Sequence, residues 1–215
     1  MNTAYTARVK PAKFMRIKEV LFAFLRLGTL QLIIAMSAGS AHATTVNPLD
    51  LPDLVNKAEV IADVTVTNTQ PYVSYAQDGR SVHTRVTFSV NGQPIKGNVS
   101  SPLVLDFLGG SVGYLKMAVS GVPQLQVGQR LIIFSHAPND FYVSPFVGLD
   151  QGALRVVHDQ TTNSDRVLRW WGQPVSENEP MTSRQVTGQR SEAEAAQSAE
   201  LVEHFLNRVR PLVVQ

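Results

Sequence analysis

The sequence predicts a mainly β protein: a small Greek-key barrel of OB-like type, preceded by a short helix and followed by an amphipathic one. Three observations lead there. Val82–Val90 alternates strictly, with Val82, Thr84, Val86, Phe88 and Val90 on one side and His83, Arg85, Thr87 and Ser89 on the other. One buried and one wet face is the habit of antiparallel sheets and small barrels. Next, the apolar runs Leu103–Leu108 and Leu131–Phe134 enclose Gly109, Gly110, Gly113, Gly121, Pro123 and Gly128. Glycine at that density marks turns and close backbone approach, so the two strands are joined by a shaped crossing. Finally, five to seven strand patterns follow one another without βαβ alternation. A shaped crossing between long strands favours a barrel, with a sandwich as the alternative.

Taken in order, the chain opens with a leader. Arg8, Lys10, Lys13, Arg16 and Lys18 precede an apolar stretch, Val20–Ala38, and the small-x-small site Ala41-His42-Ala43. This is the layout of a secretory signal peptide over residues 1–43, with Met1 or Met15 as its start. A membrane anchor is the competing reading, and Arg26 argues against it, since mid-bilayer Arg costs roughly 2.5–3.5 kcal/mol. The barrel is assigned to residues 44–171. Within it, Asp50 caps a helix over Leu49–Ala58 whose Leu51, Leu54, Val55 and Ala58 form one stripe. Glu59–Asn68 reads as the first strand, and Thr69–Ser81 as a polar loop bearing Tyr72 and Tyr75. After Val82–Val90, Asn91-Gly92 and Lys96-Gly97 supply turns. Ser135–Asp140 is a second polar loop. Phe141–Val147 is a strand that Pro145 places at an edge or bulge, and Gly152–His158 with Arg166–Trp171 forms a hairpin. Residues 172–190 read as a linker. Residues 191–215 hold the last helix and tail: Ser191 and Glu194 form a capping box, Leu201, Val202, Phe205, Leu206 and Val209 share a side, and Pro211 ends it.

Charge and composition exclude several classes. Six of the 19 Lys and Arg and one of the 17 Asp and Glu lie in residues 1–43, leaving the remainder a formal net charge of −3. The basic balance therefore belongs to the leader, and nothing points to nucleic acid. Contact with a membrane is expected only through an uncleaved leader. The chain has no Cys, hence no disulfide framework, thiolate metal site or thiol nucleophile. The localisation expected is periplasmic or secreted, with stability supplied by the core alone.

Catalytic patterns are thin. Gly109-Gly110-Ser111-Val112-Gly113 matches G-x-S-x-G, with Asp140 or Asp150 and then His158 in hydrolase order. Only seven residues separate Gly113 from Gly121, too few for the helix that must follow such an elbow. His83, His136, His158 and His204 show no ligand spacing, so no metal and no cofactor is expected. In an OB-like barrel the loop after strand one and the loop between strands four and five flank one face. That face would gather Tyr72, Tyr75, His136, Asp140 and Tyr142, with His83 and Arg85 on the adjoining strand. Tyr offers amphipathic contact area at low entropic cost, which suits a protein or glycan partner.

The stretches Ala58-Glu59-Val60-Ile61-Ala62, Ile95-Lys96-Gly97, Gly109-Gly110, Val119-Ser120-Gly121-Val122-Pro123, Val127-Gly128-Gln129-Arg130-Leu131-Ile132-Ile133-Phe134 and Gly148-Leu149-Asp150-Gln151-Gly152 carry a resemblance. Over residues 49–158 the chain resembles an uncharacterised family of exported bacterial proteins, some of which occur beside or fused to matrixin-type zinc proteases. More loosely, the strand order with its Lys-Gly turn is similar to the netrin-like OB barrel of tissue metalloprotease inhibitors. Those use an N-terminal Cys as zinc ligand, which this chain lacks. The resemblance implies an exported, non-enzymatic binding or accessory module that engages an extracytoplasmic protein such as a metalloprotease. A serine hydrolase using Ser111 and an oligosaccharide-binding module are the alternatives.

Overall fold

The structure, a computed structural model, describes residues 46–76, 79–99, 101–138, 140, 142–176, 180–181 and 191–213. The expected leader and its cleavage site lie outside these residues. Helix α1 spans Leu51–Lys57, and its N-cap is Asp50, whose Oδ1 accepts the Asp53 N–H at 2.7 Å. The strands are β1 Val60–Ala76, β2 Gly79–Val90, β3 Leu103–Leu108, β4 Gly110–Val112, β5 Leu115–Met117, β6 Arg130–Ser135, β7 Ala153–Asp159, β8 Ser164–Arg169 and β9 Glu200–Leu201. A 3-10 turn, Leu149–Gly152, precedes β7. Helices α2, Glu192–Ser198, and α3, Val202–Val213, close the chain.

Seven strands form one antiparallel sheet in the order β3-β2-β1-β6-β7-β8-β9, and β4 with β5 makes a separate hairpin. After the hairpin-linked run β1-β2-β3, the chain crosses through β4 and β5 and returns beside β1, which is a Greek-key connection. The expected closed barrel does not form. The sheet is open, with β3 and β9 as its edges among the described residues. Of the segment expected to be a strand, Phe141–Val147, Phe141 lies outside the described residues, and residues 142–147 make one bridge, Ser135↔Phe146, with no N–H to donate at Pro145. Phe146, Val122, Leu125 and Trp170 pack with the core on one face of the sheet.

At its centre the sheet is covered on both faces, and β6 is buried along nearly its whole length, which explains why it reads as an unbroken apolar run rather than an alternating one. One core joins Val64, Val66, Val86, Phe88, Leu105, Phe107, Leu131 and Ile133, with the Phe146 ring edge-on to Phe107 at 5.0 Å. The other joins Ile61, Ile132, Phe134, Leu154 and Val167 beneath Leu54 and Val55 of α1 and Val202, Phe205, Leu206 and Val209 of α3. Phe205 meets Phe134 edge-on at 6.4 Å. Each such ring contributes about 1.5–3 kcal/mol by leaving water.

Three local expectations change. Thr69–Ser81 is no loop: β1 and β2 run on as a hairpin arm, paired from Thr69↔Val86 to Ala76↔Gly79. The single C-terminal helix is two. Its capping box is present, with Ser191 N–H on Glu194 Oε2 and Glu194 N–H on Ser191 Oγ, but the chain extends at Ala199–Leu201 to lay β9 along β8. Pro211 lies inside α3 rather than ending it. Of residues 172–190, Val175 and Met181 are buried and the Met181 N–H donates to Leu49 O, while 177–179 and 182–190 are outside the described residues. Just before this stretch the Trp171 Nε1–H donates to the buried Asp150 Oδ2 at 2.6 Å.

Candidate functional site

Alternation along the arm decides which side chains meet. Pro71, Val73 and Tyr75 of β1 stand opposite Thr84, Val82 and Arg80 of β2, on the face that carries Val86 and Phe88. Gln70 and Tyr72 stand opposite Arg85 and His83 on the other face. The seven residues expected to converge therefore divide. Tyr75, 76% exposed, projects from the opposite side of the arm to Tyr72.

Tyr72, His83 and Arg85 do come together. The Tyr72 and His83 rings stack at 5.5 Å, and the Arg85 guanidinium lies 5.2 Å from the Tyr72 ring centre. Arg85 is fixed from its far side by Asp106 on β3, its cross-strand partner, through Nε–H at 3.1 Å and Nη2–H at 3.0 Å. A forked pair of this kind adds geometric definition even where solvent screens its energy. Partial burial and the neighbouring Asp106 carboxylate raise the Tyr72 pKa, so the phenol is held neutral. The hydrogen bond to Asp106 raises that of Arg85. His83 is buried, with Nε2 at 2.8 Å from Ser81 Oγ.

His136, Asp140 and Tyr142 form a second group on the loop after β6. The His136 and Tyr142 rings stack at 4.2 Å, and the Tyr142 hydroxyl donates to Asp140 Oδ2 at 3.4 Å. Burial lowers the His136 pKa and favours its neutral ring. Desolvation first, then Asp140, raises that of Tyr142. The groups adjoin through the backbone: Leu108, opposite His83 on the ladder, donates its N–H to Val143 O at 3.0 Å, one residue after Tyr142.

Sequence reasoning missed Asp106 as the partner of Arg85, although both stand on the wet side of adjacent strands. It also missed a cleft of about 440 Å³ under the glycine-rich crossing, lined by Pro71, Thr84, Phe107, Met117, Val122 and Leu125. Gly110 is required there: its φ is 134°, and a Cβ would run into Thr84 Oγ1. Ser111 also lines the cleft, but it belongs to a β-hairpin, opposite Lys116, and not to a strand-to-helix elbow. His158 bonds Asp165 through Nδ1, and Asp150 holds Trp171. Among the described residues no group of three His, Asp or Glu is placed to hold a metal. No protein-family model matches the chain, and no curated protein is significantly similar to it.

Proposed function

We propose that the chain is an exported binding or accessory module, without catalysis of its own, that engages another extracytoplasmic protein through the outer face of β1-β2-β3 and the loop after β6. The observation that carries this reading is the preformed Tyr72–Arg85–Asp106 stack beside the His136–Tyr142 stack. Aromatic rings and Arg held in fixed rotamers lose little entropy on binding, which is how contact hot spots are built. A matrixin-type zinc protease is the first partner to test, on the resemblance of residues 49–158 alone.

The test immobilises the protein and measures capture of a purified protease of that class, alongside Tyr72→Ala and Tyr142→Ala. Capture that weakens at least about tenfold in folded variants supports the site, since hot-spot truncations reach that size. Unchanged capture by both variants overturns it. Covalent labelling of Ser111 by an active-serine probe, absent in Ser111→Ala, would replace the reading with a hydrolase.

A further inference from the structure

The free edge of the sheet says how such a partner is held. In an antiparallel ladder, the N–H and C=O of one residue point to the same side, and successive residues alternate sides. The Gly109 N–H donates to Val82 O, and the Val90 N–H reaches Ser101 Oγ, so the even residues of β2 face β3. Their partners Leu103, Leu105 and Phe107 therefore spend their backbone groups on β2. Val104, Asp106 and Leu108 point theirs outward, and Leu108 proves it by donating away from the sheet to Val143 O. Among the described residues, no backbone hydrogen bond occupies the outward groups of Val104 and Asp106.

Edges of this kind are commonly blunted by lysine, proline, bulges or a covering segment. β3, LVLDFL, has no Lys, no internal Pro and an unbroken register with β2. Its Val104 is 40% exposed. We propose that this edge takes up an extended segment of the partner protein as an added antiparallel strand, which rests on the reading above and gives its binding mode. Val143 is the precedent within the chain, a main-chain acceptor already seated on the same edge at Leu108. The side chains beside the visitor fix its chemistry. The residue opposite Val104 is apolar, and the residue opposite Asp106 carries a cation to share that carboxylate with Arg85. Running antiparallel, the visitor reads cation, spacer, apolar from its N-terminus.

The experiment uses the full chain and the capped peptide Thr-Lys-Thr-Val-Thr, with an analogue N-methylated at its Lys and Val. In the free protein, the amides of Val104 and Asp106 exchange with solvent deuterium faster than those of Leu105 and Phe107. The peptide slows both by at least about tenfold, while the methylated analogue does not. Val104→Pro, tolerated where the missing N–H faces outward, abolishes the effect without unfolding the sheet, and Val104→Lys is the second variant. Protection of these amides in the free protein, no slowing at millimolar peptide, or equal slowing by the analogue overturns the proposal. Slowing with protein concentration alone assigns the edge to a second copy and overturns it too. If Tyr72→Ala loses protease capture while Val104→Pro keeps it, strand addition fails and the proposed function stands.

Discussion

Single side chains carry much of the specification of this sheet. Asp63 on β1 is nearly buried. Its carboxylate accepts Arg130 Nε–H at 3.0 Å, Arg130 Nη2–H at 2.6 Å and the Asn91 amide at 2.8 Å, so one residue ties β1 to β6 and to the end of β2. Asp63→Ala removes the carboxylate that Arg130 and Asn91 share, leaving Arg130 to Asp165 and Asn91 to Thr65, and is expected to lower unfolding free energy by about 1–2 kcal/mol in a urea titration. Asp165 couples the same Arg130 to His158, and the His158 hydrogen bond, then Arg130, pulls its pKa below the ordinary 3.8. A depressed carboxylate adds stability above its unfolded pKa and loses it as pH falls through the folded value. His136 has the opposite charge bookkeeping but the same direction: lowered from 6.5, it favours the neutral fold, so stability falls as pH drops through 6.5. Urea midpoints measured against pH are therefore expected to decline in two windows, one opening as pH falls below 6.5 and one below 3.8. His136→Asn should flatten the first, and Asp165→Asn should shrink the second, to which Asp159, held down by its bond from Thr162, also contributes. None of these pairings was legible in the sequence, because ion pairs depend on strand register.

At the scale of elements, periodicity told most where one side was wet. β2 was readable from its alternation, β3 and β6 from their apolar runs, β7 and β8 from the turn between them, and α1 from its cap. The arm of β1 and β2 was not, because Pro71 and the polar Thr69–Ser81 composition resemble a loop. The ladder explains the error: odd residues of β2 face β1, so Gln70 and Tyr72 face β2 and Pro71 turns its missing N–H to the unpaired side. The last helix was over-read for another reason. Its apolar stripe continues through Leu201, but Ala199 O accepts Arg166 Nη1–H at 2.9 Å and the chain extends there to pair with β8. Tertiary pairing won over helical propensity. What α3 does for the sheet is testable at Phe205, which is fully buried against Phe134. Phe205→Ala is expected to destabilise by about 3–5 kcal/mol, read by thermal or urea unfolding.

Over the whole molecule, the fold class was legible and the closure was not. The glycine-rich crossing and the strand count point to a barrel, with a sandwich as the alternative, whereas the sheet stays open and the described part of the expected strand at 141–147 contributes one bridge and lacks a donor at Pro145. The candidate surface was half legible for the same reason: residue types named its members, and only register could assign Tyr75 to the other side. Because β1 and β6 contribute residues to both cores, neither core can be lost while the other persists. Unfolding of the full chain is expected to be a single transition, with far-ultraviolet circular dichroism and near-ultraviolet signals superimposing. Two separated midpoints would contradict the shared-strand account.

The adjacent Trp170 and Trp171 are the chain's two indoles, one packed against a core and the other hydrogen-bonded to Asp150. They give the molecule an internal optical gauge at the seam where the last hairpin meets the 3-10 turn. Emission excited at the indole band reports on that seam alone, leaving the tyrosine-bearing surface spectrally silent and free to be studied with an external dye.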